Sequence, residues 1–193
     1  MHAKLTLASV LAALAATAAA EPDDYVLDPE HVVIAFLVDH IGYAKVLGQF
    51  LKVTGGYRFD EATGELSSVE VVVATASVSS NHEDRDEHLR SGDFLDAGRF
   101  PEMRFTAEAA RRTGERTYEI DGSLELRGVT QPLTLTAAWN KSDDYPIGRS
   151  VYVMGVSARG TVTRSAFGMS YAVDNGWVGD EVEIIVEFEA RRR

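Results

Sequence analysis

From about residue 26 onward the chain alternates apolar and polar residues with a period of two, and this alternation constrains the fold more than any other feature. In YEIDGSLEL, Tyr118, Ile120, Gly122, Leu124 and Leu126 share one side while Glu119, Asp121, Ser123 and Glu125 share the other. That is the pattern of a strand with one buried and one wet face. PLTLTAAW repeats it with Leu133, Leu135, Ala137 and Trp139 inward, and EVEIIVEFEA with Val182, Ile184, Val186 and Phe188 inward. Turn clusters DEATGE, RRTGER, LRGVTQP and NKSDDYPIG separate such runs at hairpin spacing. The spans read as strands lie near 26–39, 46–59, 65–78, 102–110, 116–126, 132–140, 150–163 and 181–190.

Eight successive antiparallel strands leave two open edges unless the sheet closes, and closure into a barrel is the usual solution at this chain length. The expected fold is therefore all-β: an eight-stranded antiparallel barrel with one short helix and an apolar interior. A barrel of about eight strands can hold one small ligand. Gly122, Ala137, Ala158 and Gly160 stand at inward positions. They either leave interior space or let strands bend at barrel corners.

The first residues, MHAKLTLASVLAALAATAAA, combine Lys4, an apolar stretch from Leu5 to Leu14 and small residues Ala18, Ala19 and Ala20. This reads as a secretory signal over 1–20, with residues 21–193 forming one domain. An uncleaved anchor is the alternative reading. The chain has no cysteine, which excludes thiolate metal ligands, a thiol nucleophile and lipid attachment at a cysteine. A formal net charge of −11 argues against nucleic acid as a partner and against charge-driven binding to anionic membranes.

The segment SSNHEDRDEHLRSG, from Ser79 to Gly92, breaks the alternation. Ser80 and Glu83 have capping-box spacing, acids fill the first turn, and Arg90 and Gly92 close the far end, which predicts a helix of two to three turns. His82 with Asp86 and Asp84 with His88 are four apart on that helix. Zinc sites need more ligands than such a pair, and the HExxH arrangement is absent, so solvated ion pairs are expected and no metal. The following GDFLDAGRFPEMRF carries Phe94, Leu95, Phe100, Met103 and Phe105 and suits an aromatic flap over a barrel mouth.

The ordered set DPEHVVIAFLVDHIG, GQF, RDEHLRSGDFLD, FPEMRF, GSLELRGVTQPLTL, RSAFGM and VGDEVEIIVEFEA resembles the YceI-like family over nearly the whole domain. The resemblance implies an extended lipocalin-like barrel, exported to the periplasm, that holds a polyisoprenoid or similar long-chain amphiphile and needs no cofactor. Two positions depart from the family pattern. Leu95 stands where a second Phe often follows, which reshapes the pocket mouth, and Ala166 stands where an acidic residue often precedes the FG pair, which removes a polar contact.

Long-chain burial rests on many apolar contacts, each buried CH₂ contributing roughly 0.8 kcal/mol. The candidate lining is Ile34, Phe36, Val38 and His40 on the first strand, then Phe50, Phe94, Phe105, Leu124, Leu126, Arg164, Phe167, Met169 and Trp177. Val33, Ala35 and Leu37 are also apolar, so periodicity does not decide which side of the first strand faces inward. His31 and His40 are the notable polar positions. His40 would donate to a carbonyl or phosphate headgroup if it faced the cavity, and Arg164 would serve an anionic headgroup if it faced inward or an outward ion pair if it did not. The expected function is binding, for storage or transport, with transient membrane contact and pairing of two barrels as accompanying expectations. The alternative is an enzyme acting on a lipid by histidine acid/base chemistry, although no GxSxG elbow is present.

Overall fold

The structure, a computed structural model, describes residues 21–148 and 150–193. The secretory signal expected over 1–20 lies outside the described residues. The strands are β1 (Asp23–His40), β2 (Ala44–Phe50), β3 (Val53–Asp60), β4 (Glu65–Ala74), β5 (Val78–Ser79), β6 (Glu102–Ala107), β7 (Arg111–Arg112), β8 (Thr117–Leu126), β9 (Val129–Asp144), β10 (Tyr152–Thr163) and β11 (Val178–Arg192), with one helix α1 (Glu83–Arg90). Neighbours run β11-β10-β9-β8-β6-β4-β3-β1, and β1 pairs again with β11, closing an eight-stranded antiparallel barrel. The two-residue β5 and β7 pair only at its margins.

The span expected as one strand over 46–59 is split into β2 and β3, interrupted at Leu51 and Lys52. The cause lies in β1, which is too long and too bent for one straight partner. Its first part pairs with β3, from Asp23 opposite Phe59 to Val26 opposite Gly56. Its second part pairs with β2, from Ile34 opposite Phe50 to His40 opposite Ala44. Between them the ladder to β11 slips between Leu27 and Val32. Pro29, which has no N–H to give, sits in that bulge.

The bulge resolves the first-strand parity. Tyr25 and Leu27 are buried at odd positions, while past it the even positions Ile34, Phe36 and Val38 face the interior. Between the pairs Leu27–Ala190 and Val32–Phe188 the first strand carries three extra residues, and an odd number of extra residues flips every following side chain to the other face. A second slip between Val38 and His40 ends the inward run, so His40 is exposed and does not reach the interior, contrary to its expected place in the lining.

Asp28 pins the first bulge. Its carboxylate is 3% exposed, accepts the Glu30 N–H at 3.2 Å, bonds His31 Nδ1 at 2.9 Å and accepts Arg191 Nη2 from β11 at 2.6 Å. Burial pushes this carboxyl upward, but the bonds from His31, Glu30 and Arg191 outweigh it and hold it below the usual carboxylate range. The bond to Asp28 raises His31.

The helix forms where the acidic first turn predicts it, but its cap differs. His82 is the N-cap, its Nδ1 accepting the Arg85 N–H at 3.4 Å. Asn81, with φ of 61°, turns the chain so that Ser80 falls before the helix and becomes buried. Ser80 donates its N–H and hydroxyl to Asp86, at 2.6 and 2.5 Å, and accepts Arg85 Nε at 2.7 Å. The charges at the start of RDEHLRSG thus fasten the helix to the preceding segment, and the expected His82–Asp86 and Asp84–His88 pairings do not form. His88 bonds Asp93 at 3.0 Å instead.

The inward glycines do not leave free space. A Cβ on Gly122 would lie 2.4 Å from the Phe105 ring and 2.6 Å from the Thr106 carbonyl, and one on Gly160 would lie 2.7 Å from Leu135. These positions are glycine because a neighbouring side chain occupies the volume a Cβ would take. G122A is therefore expected to destabilise the barrel by about 1–3 kcal/mol through overpacking, read as a lower urea midpoint; an unchanged midpoint would show that the Phe105 ring moves freely.

Asp28 contributes stability that is present above its unfolded value near 3.9 and is lost as pH falls through its lower folded value. His31 contributes below its unfolded value near 6.5 and loses that contribution as pH rises through its raised folded value. D28N is expected to lower stability at neutral pH and to flatten the loss of stability below about pH 4, measured by thermal unfolding against pH. A parallel downward displacement of the whole curve, with the acid limb unchanged, would contradict this assignment.

Candidate functional site

The barrel interior holds a cavity of about 250 Å³. Inward residues of every long strand line it: Ile34, Phe36 and Val38 from β1, Phe50 from β2, Tyr57 and Phe59 from β3, Val69, Val71 and Val73 from β4, and Met103 and Phe105 from β6. β8 and β9 add Tyr118, Ile120, Leu124, Leu126, Leu133, Leu135, Ala137 and Trp139. β10 and β11 add Met154, Val156, Ala158, Val162, Val182, Ile184, Val186 and Phe188. Among the described residues, the lining holds no histidine and no carboxylate, and Arg164 is its one ionisable side chain other than the tyrosines. Such a wall attracts apolar chain by excluding water and offers no acid/base pair.

The cavity lies just under the roughly 300 Å³ at which ligand pockets usually begin, so a long chain enters only if the wall yields. Met103, Met154 and Met169 all stand on that wall. Methionine is unbranched and repacks readily around irregular shapes.

One end of the barrel is organised by Arg164. Its guanidinium is 3% exposed and donates through Nε to the Gly179 carbonyl at 2.7 Å, through Nη1 to Met169 at 2.7 Å, and through Nη2 to Tyr171 at 2.8 Å and Val178 at 2.9 Å. Ser165 donates its N–H and hydroxyl to Asp180, at 2.9 and 2.7 Å. RSAFGM therefore clasps the slipped start of β11 and the loop before it. Burial pushes Arg164 below the usual guanidinium range, and the Asp180 carboxylate opposes that shift. Four of the five Arg164 N–H groups are taken by backbone carbonyls, and the buried guanidinium makes no outward ion pair.

Phe94 stands over the Arg164 guanidinium at 5.7 Å and packs against His88 at 4.9 Å and Tyr171 at 5.4 Å. Leu95 behind it is 7% exposed, and Arg127 donates to the Gly92 carbonyl at 2.9 Å and to that of Phe94. The flap is thus closed by packing and by one arginine from the β8–β9 turn.

Of the lining expected from sequence, Ile34, Phe36, Val38, Phe50, Phe94, Phe105, Leu124, Leu126, Arg164 and Met169 stand on the cavity wall. His40 does not, as described. Phe167 is buried in the core beside the cavity without lining it. Trp177 is 57% exposed, because it sits in the turn before β11 and donates its N–H to Asn175 at 3.0 Å.

The opposite end of the barrel carries an aromatic group. Tyr57 stacks on Tyr25 at 5.0 Å and leans on Phe188 at 5.9 Å, while Tyr118 and Trp139 meet the Phe59 ring edge-on at 5.9 and 5.6 Å. Tyr118 and Trp139 carry the inward parity visible in their strands. Nothing in local pattern marks them as more than core.

Among the described residues, one cluster has metal-ligand proximity, Asp28, Glu30 and His31. Arg191 already occupies the buried Asp28 carboxylate, and that contact neutralises the charge a cation would need.

Comparison with known proteins agrees with this geometry. A UPF0312 protein of Pectobacterium carotovorum is 37% identical over 191 residues, covering 98% of this chain and 95% of its own. A UPF0312 protein of Azotobacter vinelandii is 36% identical over 194 residues, covering 98% of this chain and 99% of its own. Among solved structures, Burkholderia cenocepacia BcnA superposes with a TM-score of 0.75 at 19% identity, covering 84% of this chain and 98% of that one. A polyisoprenoid-binding domain from Saccharophagus degradans superposes at 0.66 and 10% identity, covering 89% and 99%, and at these identities both show the fold alone. The YceI-like domain matches residues 25–190, and the chain belongs to that family.

Proposed function

We propose that this protein binds a polyisoprenoid or quinone-like amphiphile inside its barrel and stores or carries it in the periplasm. The observation that carries the reading is the interior cavity walled by apolar side chains from all eight barrel strands. Burial of a prenyl chain there is driven by removal of apolar surface from water and needs no single specific contact. The polyisoprenoid-binding description of the Saccharophagus degradans domain supports the same ligand class. Periplasmic location rests on the signal read over 1–20.

Histidine-based lipid chemistry inside the cavity finds little support. His40 is exposed at the end of β1, His82 caps the helix, and His88 bonds Asp93. Loading and release would pass the end closed by Phe94. Ile41, Tyr43 and Trp177 are exposed around that end, and Ile41 donates its N–H to the Trp177 carbonyl at 2.9 Å. A membrane or partner would meet the barrel on that side.

Ala158 of β10 lines the lumen beside its register partner Ala137 of β9. A158F places a ring in the channel a chain would use. Uptake of a prenyl lipid by the purified protein is expected to fall at least about tenfold, while stability changes by no more than about 1–3 kcal/mol. Undiminished uptake by the folded variant would show that lipid binds outside the lumen and would overturn the reading.

A further inference from the structure

The cavity wall is apolar with a local exception. Tyr57, Tyr118 and Trp139 all line it, and the Tyr57 hydroxyl, the Tyr118 hydroxyl and the Trp139 indole N–H are each shut off from solvent without a hydrogen-bond partner. The two tyrosines are 9% and 5% exposed. The three belong to one end of the lumen: Tyr57 and Phe59 lie on the same face of β3, and Phe59 touches both Tyr118 and Trp139. Tyr118 enters near the β3–β4 turn, where a Cβ on Gly64 would approach its hydroxyl to 2.9 Å. Buried donors are nearly always paired in native proteins, and of the four such orphans among the described residues three line this end of the cavity, the fourth being the Ser67 hydroxyl outside the lining.

We infer that Tyr57, Tyr118 and Trp139 form a headgroup subsite that takes an uncharged, hydrogen-bond-accepting oxygen, the carbonyl of a ketone, quinone or amide, at the end of the lumen opposite Arg164. The inference rests on the proposed lipid-binding role and adds the chemistry of the ligand's polar end. Trp139 can only donate, so the ligand must accept. Burial keeps the Tyr57 hydroxyl protonated far above neutral pH, with the charge of Glu61 adding to the effect.

An anionic headgroup does not suit this end. Glu61 already stands beside it, accepting the hydroxyls of Tyr25 at 2.5 Å, Ser142 at 2.5 Å and Tyr152 at 3.0 Å. The cations near this end are already engaged: Arg112 donates to the Gly114 carbonyl at 2.9 Å and to that of Glu115, Arg116 lies 5.1 Å over the Trp139 ring and donates to the Asn140 carbonyl at 3.2 Å, and Arg192 lies 3.9 Å over the Tyr152 ring and bonds Asp23 at 3.1 Å. Arg164 is at the far end and bound to the backbone. A phosphate at this end of the lumen would be a buried charge without a free counter-ion, the costliest group to take from water.

The test offers the protein three probes of one prenyl chain length, a ketone, a phosphate and a plain hydrocarbon, and repeats the titration with Y57F/Y118F. For the unaltered protein the ketone is expected to bind about tenfold more tightly than the hydrocarbon, and the phosphate more weakly than the ketone. In Y57F/Y118F the ketone's advantage is expected to fall to about threefold or less, with hydrocarbon affinity retained and the melting temperature equal or higher, since the change removes two unpaired hydroxyls. Equal binding of ketone and hydrocarbon by the unaltered protein would mean that water serves these donors, which overturns the subsite and leaves the lipid-binding role standing. So would tightest binding of the phosphate, or an unaltered ketone preference in the variant. Failure to bind any probe would overturn the lipid-binding role itself.

Discussion

The hydrogen-bonded seam between β1 and β11 is the interaction on which the rest of the molecule depends. Without it the sheet is open, two edges are exposed and the inward faces have no common interior. With it, each inward side chain shares one lumen, and strand length sets how long that lumen is. The seam is not uniform. It slips twice along β1, and each slip is held by charged or polar groups: Asp28 with His31 and Arg191 at the first, Arg164, Ser165 and Asp180 at the second. The best-defined polar constellations of the protein therefore serve closure of the barrel.

This division of labour accounts for the character of the cavity. Charged side chains are used at bulges, turns and the helix margin, where they satisfy backbone groups that a bent sheet leaves unpaired. The lumen is left mainly to Val, Ile, Leu, Phe and Met, and the methionines give the wall side chains that repack readily. A lumen of this kind selects weakly for chain length. Discrimination must come from the few polar groups that reach it, Tyr57, Tyr118 and Trp139 at one end and Arg164 at the other.

The strands and their inward faces were legible in the sequence wherever one face is wet. β8, β9 and β11 follow the alternation of YEIDGSLEL, PLTLTAAW and EVEIIVEFEA, and their inward residues are the ones that line the cavity. β1 was not legible in this way, because a bulge flips its parity between Leu27 and Ile34 and no periodicity survives such a flip. The spacing of Ser80 and Glu83 points to Ser80 as the cap of α1, but a left-handed Asn81 shifts the start of the helix to His82. Glycines at inward positions suggested room that large neighbours in fact fill, a matter of tertiary packing that neither composition nor spacing encodes. His40 and Trp177 looked like lining because they carry inward parity or bulk, but both fall beyond the points where the ladder slips or ends. Tyr57, Tyr118 and Trp139 could not be singled out beforehand, since only the closed barrel shows that their polar atoms lack partners.

The central claim, that the lumen is built to hold a long apolar molecule, is tested most directly by native mass spectrometry of protein exported and purified without detergent, followed by solvent extraction of whatever it carries. The account predicts a mass excess of one long-chain, uncharged lipid per barrel, released by organic solvent and taken up again when returned. A protein that emerges at its bare mass and remains so after exposure to prenyl lipids would contradict it.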